Sequence, residues 1–469
     1  MADPKQVTLV FQRTNVLAQA APSHGTREAH SNEKVRPPPT VADRGFLCKE
    51  LYRSVVAEGV TSCDVLVVGA GPGGGNAALQ CARRGLSTII IEDHKEIGTP
   101  VHCGECISEI ACQNLNLDLP EEVISKRVHG IRVIFPDGTE KCLSEEGYVL
   151  EKHLFERWIV DEAVAEGASL HLGHKLQSMD RSGESEFEGW LCQGKGDGFP
   201  ILAKIVIDAS GVAAVCSKLV QLEDELPLNP QGKVVAGMQY EMVGVPTDGY
   251  LDFYIWPEYA EKGYLWMIPK REGRANVGLV TEDRPRAKKS LDEFIENTHF
   301  KELDQVLPPW KEKGNPAFGG TIPISGPFEN TYFDGLILVG DAAGFTSPLF
   351  EGGSHLALKS AVFAAETAAA AISDGDLSSE RLSEYQRLWS NEFPPYDKII
   401  RGKNALFDLT DDEMSLMGRC FPDEMGSMGI SGKAMVGVRL LMKRPGLYFK
   451  SIVPAMLAFG YSRAKYYGW

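Results

Sequence analysis

Short runs of aliphatic and β-branched residues recur along the chain, and each sits beside a glycine turn or an acid. CDVLVVGAG begins at Cys63, STIIIE ends at Glu92, AKIVIDASG spans 203–211, and DGLILVGD begins at Asp334. Runs without polar alternation suit strands buried on both faces, as in a parallel sheet. Between the first two lies GPGGGNAALQCARRG, a glycine turn leading into a helix. After the fourth comes a second Gly-rich turn and the long Ala-rich helix that carries SHLALKSAVFAAETAAAA to residue 371. GYLWMIPK (263–270) differs: Tyr264 and Trp266 alternate, so they share one face of a strand that Pro269 ends. Residues 376–469 are expected to be mostly helical. Residues 1–60, polar, Pro-bearing and aperiodic, are expected to form a poorly ordered tail. No internal repeat is evident.

The first strand–turn–helix carries chemistry. Gly69, Gly71 and Gly74 form G-x-G-x-x-G, with Gly73 inside the turn. The first glycine permits the tight turn, the second lets a pyrophosphate approach the backbone, and the third lets helix and strand pack closely. The phosphate would sit at the helix N-terminus, where free N–H groups and the dipole favour anions. Glu92, ending the second strand, can accept from both ribose hydroxyls. These features specify a dinucleotide, and the later segments choose FAD over NAD. Asp208 and Gly211 end the third strand. Gly340 and Asp341 end the fourth, with Asp341 placed to accept from a ribityl hydroxyl. Pro348, Gly352, Gly353 and Ser354 then bring backbone and a helix N-terminus toward an isoalloxazine ring. Leu176 completes the expected cofactor contacts.

In these three ordered segments the chain resembles the flavoprotein superfamily of p-hydroxybenzoate hydroxylase. The resemblance implies an α/β architecture: a Rossmann-like FAD-binding domain, discontinuous over 61–225 and 326–375. It also implies an inserted, mainly antiparallel β-sheet substrate domain over 226–325 and a helical C-terminal region over 376–469. The family's arginine toward the cofactor phosphates is matched here by Lys152, which keeps the charge without the fork geometry.

PVHCGECIS (100–108) packs two thiols, an imidazole and a carboxylate into nine residues. Cys103 and Cys106 supply only two of the four ligands zinc needs, so no metal site is expected. A redox pair would prefer a helix start. Buried structural thiols and an active-site lining are the remaining readings. EIGTPVHCGECIS, GYVLEKHLFERW, GYLWMIPKREGRANVGL and the GDAAG segment together resemble the geranylgeranyl reductase family, and most nearly its archaeal members acting on digeranylgeranylglycerophospholipids. That resemblance implies reduction of isolated C=C bonds of a polyprenyl lipid or diphosphate. It places Cys103, Gly104 and Cys106 beside the flavin, and makes Tyr264 and Trp266 an aromatic wall along the prenyl chain. An isolated alkene also needs a proton, and the chemistry leaves Cys103, Glu105 and a held water open as its donor. Many members have Gly where Cys106 stands. The absence of a second dinucleotide fingerprint leaves NADPH as a transient visitor or a ferredoxin-like donor protein as external reductant.

Two other flavoprotein readings compete. Flavin-dependent halogenases carry Trp-x-Trp-x-Ile-Pro, close to YLWMIP, and Phe345, Pro348 and Gly353 match part of a second halogenase pattern in which Glu351 replaces a serine. Their catalytic lysine is missing at the expected distance: Lys126 and Lys141 follow Glu105 at other spacings. An electron-transfer dehydrogenase feeding quinone, similar to the FixC-like flavoproteins, is the other.

Composition narrows the setting. The 469 residues are 43% hydrophobic, enough for a large core, and carry net charge −16, which argues against a nucleic-acid partner. Ten cysteines are too few for a disulfide scaffold. The start of the chain lacks the pattern of a secretory signal, and no run of about 18 apolar residues occurs. The expected location is therefore cytoplasmic. Past Glu424 every charged residue is basic: Lys433, Arg439, Lys443, Arg444, Lys450, Arg463 and Lys465, interleaved with apolar and aromatic residues. Such a tail is expected to lie peripherally on the inner face of a membrane.

Overall fold

The computed structural model describes residues 61–182, 189–194, 199–220, 233–426 and 430–462. The N-terminal tail reading falls outside these residues, as do Arg463 and Lys465 at the C-terminus.

The four apolar runs do become neighbouring parallel strands. Thr61–Val68 pairs with Ile201–Asp208 on one side and Thr88–Glu92 on the other. Leu336–Leu338 extends the sheet beyond Ile201–Asp208, and Ser169–Leu172 extends it beyond Thr88–Glu92. Burial explains their composition. Val65, Leu66 and Val67 are fully buried, as are Ile205, Val206 and Ile207, because helices cover the sheet. The helix Pro72–Arg83 packs on Ser354–Asp374 and on Lys152–Ala165. Ser354–Asp374 is long and apolar enough to cross a membrane. However, 61% of its most apolar window is buried, and it serves here as a core helix.

A second sheet, mainly antiparallel, runs in the order Asp304–Val306, Val234–Val243, Arg274–Thr281, Tyr264–Pro269, Tyr250–Tyr254, Gly130–Ile134, Glu140–Leu143, with Phe318–Pro323 also on Val234–Val243. The expected boundary of the inserted domain needs correction here. Gly130–Ile134 and Glu140–Leu143 lie within 61–225, yet they complete this sheet through a parallel pairing with Tyr250–Tyr254. Their edge of the sheet meets the C-terminal region, where Cys142 N–H donates to Asp423 O. A third, three-stranded sheet orders Cys106–Ser108, Gly147–Leu150 and Ile124–Val128. It fixes the far end of the Cys103 loop. The C-terminal helices run Ser379–Glu392, Tyr396–Phe407, Asp411–Cys420, Ile430–Lys443 and Val453–Tyr461, joined by shorter helical turns.

Candidate active site

The glycine turn is built as its spacing demands. Gly69 has φ +102°, and a Cβ there would stand 2.5 Å from Ala209 O. A Cβ on Gly74 would fall 1.8 Å from Gly69 O, so only glycine lets the helix sit this close to the strand. A Cβ on Gly71 would meet nothing within 4 Å, because that position opens on a cavity. Gly71 caps Pro72–Arg83 with no side-chain bond, which leaves the helix N-terminus free for an anion.

Three adjoining cavities follow. The largest, about 430 Å³, is lined by Gly69, Gly71, Glu92, Leu176 and Gly211 among others, with Lys152 at its inner end. Glu92 accepts from Ala70 N–H at 2.8 Å and keeps one face on the cavity. The next, about 230 Å³, is lined by Gly73, Cys103, Gly104, Lys152, Gly340, Asp341, Gly353 and Ser354. Asp341 accepts from Thr346 Oγ1 at 3.0 Å. Lys152 is buried and reaches Glu156 Oε1 at 2.5 Å. Burial works against its charge, but Glu156, with Cys103 and Glu105 behind it, outweighs that and raises the ammonium above its ordinary value. An elongated space with a ribose acceptor at one end, an open glycine and a bare helix N-terminus in the middle, and a buried cation beyond fits FAD.

The third cavity, about 100 Å³, is walled by Phe253, Tyr264, Trp266 and Phe350, with Ile131, Ile268, Val280 and Ile322. It shares Cys103, Gly104, Trp266, Ile322, Glu351, Gly353 and Ser354 with the second cavity, whereas Cys106 and Gly352 line the third and not the second. Tyr264 and Trp266 do face one way, with ring centroids 5.9 Å apart. Tyr264 donates to Phe350 O at 2.7 Å. Trp266 Nε1 donates to Gln239 Oε1 at 3.0 Å, and Gln239 Nε2 donates to Cys103 O at 2.8 Å, which ties the aromatic wall to the cysteine loop. This cavity is short and ends at the C-terminal helix, where Phe459 lies against Phe350 with ring centroids 5.6 Å apart and Ser462 joins the lining.

Several expected residues take other places. Asp208 is fully buried and lines none of the three cavities. It accepts from Ser210 N–H, Ser210 Oγ and Cys216 N–H at 3.0, 2.5 and 2.9 Å, which fixes the turn that presents Gly211. Gly74 is a packing residue. Pro348 lines none of these three cavities and lies in the loop closed by Ser347 N–H to Gly352 O at 2.9 Å. Glu105 borders the third cavity, but its carboxylate is saturated: it accepts from Lys152 N–H at 3.0 Å, Lys270 Nζ at 2.8 Å and Asn276 Nδ2 at 2.5 Å. That carboxylate is taken up by donors of the protein itself. Glu105 anchors the Cys103–Gly104 turn instead.

The cluster around Glu105 escaped sequence reasoning. Lys270 also reaches Glu151 at 3.1 Å and Glu241 at 3.8 Å, and Arg274 reaches the same two at 2.7 and 3.1 Å. Burial raises the Glu241 carboxyl. Burial pushes Glu151 the same way, but Lys270, Ser125 and Arg274 overcome it and bring the carboxyl to about 2. Lys270 directly follows Pro269 and Glu151 precedes Lys152, so the signal was one residue from motifs already in view. The Cys103 and Cys106 thiols are free, as is every cysteine among the described residues. Burial drives Cys106 well above the ordinary thiol range, and Cys103 and Glu105 add to the effect.

Residues 64–254 match the FAD dependent oxidoreductase family, and residues 234–307 match the geranylgeranyl reductase catalytic domain. The chain is 34% identical over 400 residues to the digeranylgeranylglycerophospholipid reductase of Methanocaldococcus jannaschii, covering 83% of this chain and 98% of that protein. Against a second protein of that name from Methanopyrus kandleri the identity is 33%, with 82% and 97% covered. Among solved structures, a geranylgeranyl bacteriochlorophyll reductase-like protein from Thermoplasma acidophilum superposes with TM-score 0.74 at 28% identity, covering 84% of this chain and all of that one. The flavin-dependent brominase Bmp2 shares the fold, with TM-score 0.61 at 19% identity and 86% and 100% covered.

Proposed function

Because the chain belongs to the geranylgeranyl reductase family of FAD-dependent oxidoreductases, we propose that it saturates isolated double bonds of a geranylgeranyl chain carried on a lipid head group. The observation that carries this reading is the direct junction of an apolar aromatic cavity with the flavin end of the FAD cavity, through Cys103, Gly104, Trp266 and Gly353. Bound FAD supplies, once reduced, the hydride for one carbon of the alkene. The chain's residues supply the rest. Glu105, Lys270 and Asn276 hold the cysteine turn against the cofactor. Tyr264 and Trp266 exclude water and turn ring faces to the positive charge that develops at the tertiary carbon, about 0.5–2 kcal/mol each. Admission of the prenyl chain requires the Phe459–Ser462 end of the last helix to move aside. Electrons come from outside the chain, from NADPH or from a ferredoxin-like protein.

The same region meets the membrane in this reading. On Ile430–Lys443 and the turn after it, Met435, Val438, Met442 and Phe449 are 55, 55, 80 and 71% exposed, with Arg439, Lys443, Arg444 and Lys450 exposed between them. Apolar side chains ringed by cations suit an anionic bilayer surface, and the cavity they would open toward takes a lipid tail. Flotation with anionic vesicles tests this: Met442→Glu combined with Phe449→Glu is expected to leave the protein unbound, and undiminished flotation refutes the contact.

The catalytic reading is tested by reducing the holoenzyme anaerobically with dithionite and adding a geranylgeranyl lipid. Flavin reoxidation with stepwise gain of hydrogen in the product supports it. Reoxidation only on admission of oxygen overturns it in favour of a monooxygenase or halogenase. Replacing dithionite by NADPH or by reduced ferredoxin then identifies the donor.

A further inference from the structure

Saturating an alkene takes a proton as well as a hydride, and the wall shared by the flavin and prenyl cavities holds a carboxyl that sequence reasoning noted only as a mismatch. Glu351 lines both cavities. Its side chain is 3% exposed, and Oε1 accepts from Lys403 Nζ at 2.8 Å. Oε2 is buried without any hydrogen-bond partner. The backbone at Glu351 has φ +51°, a left-handed conformation that glycine adopts at less cost, so the chain carries strain where it presents this side chain. The Tyr264 hydroxyl lies beside the carboxyl, and its one proton is donated to Phe350 O at 2.7 Å. Toward Glu351 that hydroxyl can therefore only accept. A proton on Oε2 would satisfy both atoms at once.

We propose that the Glu351 carboxyl, seated between Lys403 and the Tyr264 hydroxyl, delivers the proton to the less substituted carbon of the alkene. The inference rests on the alkene-reductase reading above. The O–H bond of Glu351 breaks and a C–H bond forms from the alkene π pair. The tertiary carbon then takes the hydride, with its two electrons, that reduced FAD supplies, so the alkene is reduced and the flavin oxidised. The carboxylate left behind faces the Lys403 ammonium until a proton returns from water. Of the other candidates, Glu105 is saturated by donors, while Cys103 takes a hydrogen bond from Glu105 N–H at 3.2 Å.

The groups facing this carboxyl are Lys403 on Tyr396–Phe407, Tyr264 on its strand, and Glu282 beyond it. Burial raises the Glu351 carboxyl, Lys403 pulls it back, and Glu282 adds to the rise. The donor is the protonated form, so turnover falls as pH rises through this raised value. Loss of Lys403 removes a lowering influence and moves that alkaline limb upward.

The test uses the holoenzyme and two independent readouts. Infrared difference spectra are expected to show a protonated carboxylic acid band that shifts in D2O and is missing from Glu351→Gln. That variant keeps an oxygen for Lys403 to bond. In anaerobic single turnovers with a geranylgeranyl lipid, Glu351→Gln is expected to reoxidise flavin about 10²–10⁴-fold more slowly. Lys403→Met is expected to move the alkaline limb of the turnover profile to higher pH. Persistence of the carboxyl band in Glu351→Gln, or reoxidation at the wild-type rate with an unchanged pH profile, overturns the assignment. Wild-type protein that fails to reoxidise with the lipid sinks the reductase reading and this proposal with it, a result distinct from failure of the variant alone.

Discussion

Replacing Lys270 by Met removes the cation that touches three buried carboxylates. Its Nζ stands 2.8, 3.1 and 3.8 Å from Glu105, Glu151 and Glu241. At an effective dielectric of about 20, those separations correspond to gross attractions of roughly 6, 5 and 4 kcal/mol. Desolvation offsets most of this, and removing one partner from a buried pair costs about 3–5 kcal/mol net. Lys270→Met belongs at the upper end, near about 5 kcal/mol, because Glu105 loses the cation bonded to it while Glu151 and Glu241 are left to Arg274. Glu105→Gln leaves Lys270 with Glu151 and Glu241, and keeps an oxygen toward Asn276, so about 1–2 kcal/mol is expected. The wild type and Lys270→Met also respond oppositely to acid. In the wild type, Glu151 is held at about 2 against an ordinary 4.5, so its contribution is present above the ordinary value and lost as pH falls toward 2. In Lys270→Met the folded carboxylates are destabilised as anions. They then bind protons more readily than in the unfolded chain, and the deficit shrinks as pH falls from about 7 to about 5. Urea unfolding of holoenzyme followed by tryptophan fluorescence at both pH values measures this. The reasoning fails if Glu105→Gln destabilises as much as Lys270→Met, or if the Lys270→Met deficit widens on acidification.

Gly71→Val is expected to fold normally, since its Cβ meets no protein atom within 4 Å, yet to lose FAD by at least about tenfold in affinity, read by flavin content after gel filtration. Full flavin retention would remove Gly71 from the pyrophosphate cradle. Lys152→Met is expected to raise the FAD dissociation constant about tenfold and to flatten its dependence on salt, measured by flavin fluorescence quenching. An unchanged salt slope would mean that Lys152 serves only Glu156. Trp266→Phe leaves Gln239 Oε1 without its donor at a cost of about 1–3 kcal/mol, and loosens the hold on Cys103 O. Slower flavin reoxidation by the lipid with unchanged FAD affinity is the expected signature, and wild-type kinetics would refute it.

What was legible in the sequence was what local chemistry fixes. The apolar runs ended in parallel strands because nothing polar interrupts Val65–Val68 or Thr88–Ile91. The close approach of Gly74 to Gly69 and the open space at Gly71 are local, each set within the turn that the motif spells. The failures were of two other kinds. Gly130–Ile134 crosses into the second sheet by pairing with Tyr250–Tyr254, more than a hundred residues away, and no local pattern announces that register. Asp208 and Glu105 were read by the company they keep in sequence. Their carboxylates are committed to Ser210 and Cys216 in one case and to Lys270 and Asn276 in the other, partners that only folding reveals.

The halogenase alternative is decided by the same long-range pairings. That chemistry needs an amine open to the flavin-side substrate space. No lysine lines the aromatic cavity among the described residues. The three buried lysines around the site are all committed: Lys152 to Glu156, Lys270 to Glu105 and Lys403 to Glu351. The brominase likeness at 19% identity therefore reports a shared scaffold. In each of these pairs the lysine Nζ is bonded to a carboxyl oxygen, so none of the three stands free toward the aromatic cavity. What remains open to an apolar guest is aromatic faces, free thiols and one carboxyl with a vacant oxygen. That inventory suits adding hydrogen to an alkene, because a developing cation needs ring faces and an acid, and a hypohalite-type oxidant would need the lysine that every ion pair here withholds.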